Sequence, residues 1–189
     1  MKMTKVKEMI VSVFDYTTVS QDANLFEAIM ALEASQEKND PARYPHRAIL
    51  ALDSDGNVVG KVNMYSILGA LEPKYDQIGD PGGVSWAGVN PDFLKSMVKK
   101  YSLWNKPLED ICVKAGGKKV KNFMFKPSEG ECIDQDATLN EAIHLLILGN
   151  KLSLLVTEDD KIIGILRFVD LFAHVCELIK ACKLTYRNV

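Results

Sequence analysis

Gln21-Asp22-Ala23-Asn24-Leu25-Phe26-Glu27-Ala28-Ile29 and Gln135-Asp136-Ala137-Thr138-Leu139-Asn140-Glu141-Ala142-Ile143 are one phrase written twice. The shift between them is constant, 136 − 22 = 114 residues. Each phrase starts a helix. Asn24 with Glu27, and Thr138 with Glu141, have the spacing of a capping box. Leu25, Ala28, Ile29 and Leu32 then form one apolar stripe, and Leu139, Ala142, Ile143, Leu146 and Ile147 form its counterpart. A period this long, seen only twice, marks a tandem duplication and not a solenoid.

The likeness extends outward from the phrase. Val6-Lys7 precedes the first copy and Val120-Lys121 the second, again 114 residues apart. Thr18-Val19 and Cys132-Ile133 suit a short strand before each helix. After each helix comes an apolar run, a polar turn and a second apolar run. In the first copy these are Ala48 to Leu52, Asp53-Ser54-Asp55-Gly56-Asn57, and Val58 to Val62. In the second they are Ser153 to Val156, Thr157-Glu158-Asp159-Asp160, and Lys161 to Leu166. Asp-Gly between apolar runs is a strong hairpin signal. A last helix follows each hairpin, from about Met64 and from about Phe168, the second with Leu171, Val175, Leu178 and Ile179 on one side.

The expected unit is therefore strand, helix, strand, strand, helix. The fold class is α/β, an α+β sandwich of two β-α-β-β-α motifs about a pseudo-twofold axis with a helical insert between them. The boundaries read as 5–71 for the first motif, 72–119 for the insert and 120–184 for the second. The shift falls to 164 − 60 = 104 at the hairpin glycines, which places ten extra residues around Gln36 to Tyr44. In the insert, Pro81-Gly82-Gly83 breaks the chain and Asn90-Pro91 opens a helix. Phe93, Leu94, Met97, Val98 and Tyr101 give that helix an apolar face. A shorter helix is expected over Pro107 to Ala115, stopped by Gly116-Gly117.

Composition narrows the function. The 189 residues carry a formal net charge of −2, and 47% are hydrophobic. That balance supports a buried core. It offers neither the basic face that nucleic acid requires nor a polybasic membrane patch, and no apolar window approaches the length of a membrane span. The start has charge but no apolar segment of a signal peptide behind it. Cys112, Cys132, Cys176 and Cys182 lack Cys-x-x-Cys spacing, so free thiols in a reducing cytoplasm are expected. His46, His144 and His174 form no legible Ser/His/Asp arrangement, and His144 is expected half-buried beside its helix stripe. Trp86 and Trp104 are read as packing anchors of the insert. Asp53-Ser54-Asp55-Gly56 lacks the remaining ligands of a calcium loop and reads as a turn. No metal site and no catalytic constellation is expected.

The duplicated order resembles a pair of cystathionine-β-synthase-type (CBS) domains. The residues that carry the resemblance are Val-Lys-x-apolar before the first strand, Asp-Ala-x-Leu-x-Glu-Ala-Ile, the Asp-x-Asp-Gly hairpin, and Gly164-Ile165-Leu166-Arg167-Phe168-Val169-Asp170-Leu171. The last is similar to the family's Gly-apolar-x-Thr/Ser-x-x-Asp-apolar ending. The resemblance implies a Bateman module. Such a module is regulatory and not an enzyme, and it requires no cofactor. It dimerises, and it holds AMP, ADP, ATP or S-adenosylmethionine in clefts between its motifs. A homodimer acting on an unidentified effector protein is the implied partnership.

The same resemblance nominates the site. Asp170 stands where a carboxylate grips the two ribose hydroxyls, in a helix first turn whose N–H groups favour phosphate. Arg167 replaces the family's Thr/Ser and offers a fork of phosphate donors. Asn63 and Ser66 are the matching positions of the first copy. Ile133, Leu152 and Leu154, with Cys132, would wall the adenine in the second copy, and Val19, Ala48 and Leu50 in the first. The family's proline in the first hairpin strand is replaced by leucine in both copies, at Leu50 and Leu154. The alternative at Arg167 and Asp170 is an ion pair three residues apart. The alternative for the whole chain is a structural or dimerisation module whose clefts bind nothing.

Overall fold

Both capping boxes form as their spacing requires. In a computed structural model that describes residues 4–37, 47–72, 74, 91–103 and 116–181, Asn24 Oδ1 accepts the Glu27 N–H at 2.9 Å while Glu27 Oε2 accepts the Asn24 N–H at 2.7 Å. Thr138 and Glu141 do the same. These caps start α1 (Leu25–Glu37) and α4 (Leu139–Leu148). The first repeat adds β2 (Thr18–Ser20), β3 (Ala48–Leu52), β4 (Val58–Asn63) and α2 (Met64–Leu71). The second adds β5 (Cys132–Asp134), β6 (Ser153–Glu158), β7 (Lys161–Arg167) and α5 (Phe168–Ala181). Between them runs α3 (Pro91–Tyr101), which begins at Pro91 as expected; Asn90 lies outside the described residues. The segments around Pro81-Gly82-Gly83 and Pro107 to Ala115, with Trp86, Trp104, His46, Cys112 and Cys182, lie outside the described residues. So do the side chains of Phe93 and Leu94 and the 182–184 end of the second motif.

Each repeat builds the same small sheet. β2 runs parallel to β3, and β3 is antiparallel to β4. β5, β6 and β7 repeat that pattern. Their two faces are used differently. On the outer face Ile49, Ala51 and Val62 pack against Leu25, Ala28 and Leu32 of α1. Leu154, Val156 and Leu166 pack against Leu139, Ala142 and Leu146 of α4. On the inner face Leu50 meets Leu155, Ile165 and Tyr16. The alternation of a half-buried strand thus sorts every second residue to its own helices or to the opposite repeat.

The lead-in segments cross over. Val6, which precedes the first repeat, is buried in the core of the second. Its N–H donates to Ala137 O, and that of Lys7 to Gln135 O, both at 2.9 Å. Val120, which precedes the second repeat, is buried in the core of the first, and the Val120 and Lys121 N–H groups donate to Ala23 O and Gln21 O at 2.8 Å. The exchange continues into the sheets. β1 (Val11–Ser12) pairs with β7, Val11 opposite Ile165, while Phe125 bridges Lys61 on β4. Two glycines admit these crossing strands. A Cβ on Gly164 would stand 2.6 Å from Val11 O, and one on Gly60 2.8 Å from Phe125 O. Each repeat is therefore completed by chain that sequence likeness assigns to the other.

Register also refines the alignment of the copies. Thr18 pairs with Leu50 and Cys132 with Leu155. Leu50 therefore corresponds to Leu155, a shift of 155 − 50 = 105. Nine of the ten extra residues precede β3, in the stretch that begins with the longer end of α1. The tenth sits in the hairpin turn, where Leu52 pairs with Val58 but Thr157 with Ile162. Asp53 Oδ1 accepts the Asp55 and Asn57 N–H groups and so closes that turn.

Some stripe positions are corrected. Ile147, Leu178 and Ile179 are exposed. Of the α5 stripe only Leu171 is buried. His144 is exposed and not half-buried. In the insert Val98 is exposed and Leu103 buried.

Candidate functional site

A cavity of about 310 Å³ opens where the corresponding ends of the two sheets meet. Its walls come in pairs from the two repeats. Arg47 and Leu152 stand just before β3 and β6, and Ala48 and Ser153 begin those strands. Asn63 and Arg167 end β4 and β7, and Met64 and Phe168 start the helices that follow. The cavity thus lies on the pseudo-twofold axis and is shared by both copies. Its size is at the lower end for small-molecule sites. The walls are mostly apolar, but three cationic side chains, Arg47, Lys61 and Arg167, reach it.

Four of the residues nominated from sequence line this cavity: Ala48, Asn63, Leu152 and Arg167, while Val19 packs against the outer core of the first repeat and Leu50 in the inner core. Asp170 lies one turn into α5, beside the cavity. Its carboxylate is held by Arg167 in a two-pronged ion pair, Nε to Oδ2 and Nη2 to Oδ1, both at 2.5 Å. The Arg167 side chain is 7% exposed and that of Asp170 25%. This is the ion-pair alternative, realised in a half-buried form that fixes the guanidinium plane.

Ser66 does not face the cavity. It is buried, and its hydroxyl closes the cap of α2. Asn63 Oδ1 accepts the Ser66 N–H at 3.0 Å, Ser66 Oγ accepts the Asn63 N–H at 2.9 Å, and the hydroxyl donates to Asn63 O at 2.8 Å. Ile133 and Leu154 are corrected as cavity walls. Both face the helices of the second repeat in its outer core. For Leu154 the cause is the one-residue register offset, since Leu155 takes the inner-face place that Leu50 has in the first repeat; Ile133 faces outward as its counterpart Val19 does. Cys132 packs at the margin of the inner core.

Residues that the motif comparison missed complete the site. Tyr16, nearly buried, lines the cavity. Burial pushes its hydroxyl up to about 12, the Arg167 charge opposes this, and Asp170 adds to it. Lys61 is buried on β4 at the position equivalent to the fully buried Ile165. It ion-pairs across the repeats with Glu131 at 2.9 Å, and Lys151 meets the other Glu131 oxygen at 2.8 Å. Burial alone would raise the Glu131 carboxyl, but Lys151 and Lys61 outweigh it and hold it below the usual range. A lysine among Val58-Val59-Gly60 and Val62 was the available signal, because a charge inside a buried strand needs a partner. Arg47 could not be found this way, since it stands in a stretch without periodicity. Among the described residues no cluster of three His, Cys, Asp or Glu forms a metal site, and no helix is long and apolar enough to cross a membrane.

Residues 120–177 match the family model of the CBS domain. No curated protein matches the sequence significantly. Solved structures resemble the chain over nearly its whole length. CBSX2, a CBS-pair protein from Arabidopsis thaliana, superimposes with a TM-score of 0.60 at 16% identity, covering 95% of this chain and 99% of that one. A structure of CBSX2 in complex with AMP gives 0.59 at 15%, covering 93% and 98%. A putative acetoin utilization protein, AcuB, from Vibrio cholerae gives 0.60 at 15%, covering 97% and 98%. At such identities the likeness establishes the fold. Residues 120–177 thus carry a CBS domain, and the chain as a whole has the fold of the CBS-pair proteins it resembles.

Proposed function

We propose that the protein is a regulatory module that binds an adenine nucleotide or related adenosyl metabolite in the axial cavity. The observation that carries this is the cavity's composition: apolar walls from both repeats, with Arg47, Lys61 and Arg167 among its lining residues. Apolar walls suit an adenine ring, and the Arg47 guanidinium fork suits a phosphate, with Arg167 beside it fixed in orientation by its pair with Asp170. The AMP complex of CBSX2 supports the ligand class. A ligand touching both repeats would favour one arrangement of the pair, and tenfold differential affinity shifts that balance by ~1.4 kcal/mol. An effector protein would read the shift. Met64, Tyr65, Leu68, Phe168 and Phe172 expose an apolar surface on α2 and α5. That surface supports a homodimer.

Calorimetric titration with AMP, ADP, ATP and S-adenosylmethionine tests the ligand class. Heat from one of them at micromolar to millimolar concentration is expected, and silence from all four at millimolar ligand would remove the proposal. A second reading, a structural module that binds no nucleotide, is favoured by Ser66 and Asp170, whose polar atoms are engaged within the chain. Asp170→Ala separates the two. The regulatory reading expects altered ligand affinity, and unchanged affinity with unchanged stability would exclude Asp170 from the site.

A further inference from the structure

Lys61 faces the inner core, where its counterpart is the apolar Ile165. A buried ammonium is costly unless it is paired. Its partner comes from the other repeat. Glu131, immediately before β5, places one carboxylate oxygen 2.9 Å from Lys61 Nζ and the other 2.8 Å from Lys151 Nζ. The Lys61 side chain is 9% exposed and that of Glu131 17%. A phosphate oxygen can pair with the Lys61 ammonium as this carboxylate does. The corresponding place in the first repeat holds Thr17, which carries no charge. Lys61 also lines the axial cavity, so an anion entering there meets a lysine already engaged.

We infer that Glu131 is a built-in competitor for the anionic group of the ligand, holding Lys61 until phosphate displaces it. This rests on the proposed ligand site and adds its regulation. Lys61 belongs to the first repeat and Glu131 to the second, so displacement of the carboxylate releases a tie between them. Phosphate binding and repeat packing are thereby coupled through one side chain.

The test is calorimetric titration of inorganic pyrophosphate, and separately of AMP, into wild type, Glu131→Gln and Glu131→Asp. Removing the competing charge is expected to tighten pyrophosphate binding about tenfold in Glu131→Gln. Glu131→Asp, with its charge kept but its reach shortened, is expected to tighten it less. Equal or weaker pyrophosphate binding in both variants would overturn the inference. If Glu131→Gln fails to melt cooperatively, Glu131→Asp decides alone, a rise supporting the inference and no rise overturning it. The AMP arm separates this from the nucleotide reading. Pyrophosphate tightening without AMP binding in any protein would remove the adenine and keep the competitor. AMP binding by wild type with no tightening of pyrophosphate would do the reverse.

Discussion

The first turn of α2 and the first turn of α5 occupy equivalent places at the two sides of the axial cavity. In α2, Asn63 and Ser66 satisfy one another in a neutral capping box. In α5, Arg167 and Asp170 form a charged pair at the same positions. Both solutions order the helix start, and only the second places a guanidinium, paired with its carboxylate, at the cavity. A second contrast lies beside it, where Lys61 and Glu131 tie the repeats on one side while Ile165 and Thr17 stand at the matching positions. The duplication thus preserved backbone geometry and let the polar chemistry of the two halves diverge.

The strongest way to break the comparison is through its symmetric part. Gly164 and Gly60 admit the crossing strands, and an added Cβ meets backbone oxygen at both. Gly164→Ala is expected to cost about 3 kcal/mol, because β1 must withdraw from a ladder. Gly60→Ala, against a single bridge, should cost about 2 kcal/mol. Denaturant unfolding reads both, and a neutral Gly164→Ala would refute the role given to that close approach.

The asymmetric part comes next. Glu131→Ala leaves Lys61 buried without its carboxylate and should cost about 2 kcal/mol, while Thr17→Ala should cost under about 0.5 kcal/mol. Converting Lys61 and Glu131 together to Met should recover most of the loss, since an apolar pair avoids the desolvation. Equal effects of Glu131→Ala and Thr17→Ala in urea melts would erase the contrast.

The exposed clamps on the crossing segments should behave alike in the two halves. Asp136, held by Lys5 and Lys7, is depressed to about 2, and Asp22, held by Lys121 and Lys119, is depressed in the same way. A lowered folded-state pKa gives stability that is fully present above the unfolded carboxylate value. It is lost as pH falls through the folded value. Asp136→Asn should therefore be less stable than wild type at pH 6, with the difference closing towards pH 2, and Asp22→Asn should follow it. Added salt should shrink both differences. A gap that persists at pH 2 would show a contact other than the ion pair.

The smallest effect lies in the turns. Gly56 takes a positive φ of 83°, whereas the second hairpin uses Asp159 and Asp160 at 46° and 63°. Asp160→Gly should stabilise by about 0.5 kcal/mol and Gly56→Ala should destabilise by about 1 kcal/mol. Thermal melts that rank the two substitutions the other way would contradict this turn geometry.

The elements were legible because local signals suffice for them. Asn24/Glu27 and Thr138/Glu141 cap where their spacing says, and strand alternation sorts Ile49 from Leu50. Crossing of the lead-in segments was not legible. Val6 and Val120 are equivalent in sequence, and only long-range pairing decides which sheet each completes. The site was legible in part. Arg167, Asn63 and Leu152 follow from motif position. Leu154 was misplaced because one residue inserted in a turn shifts register, and a one-residue shift reverses every side chain of a strand. Tyr16 and Lys61 gain their role from the opposite repeat, which no local pattern encodes.

The most direct test of the central claim is the crystal structure of the protein with AMP bound. One nucleotide per chain is expected on the axis, its phosphate among Arg47, Lys61 and Arg167 and its base against Leu152 and Met64. Two nucleotides in separate clefts off the axis, or one bound away from both arginines, would contradict that claim.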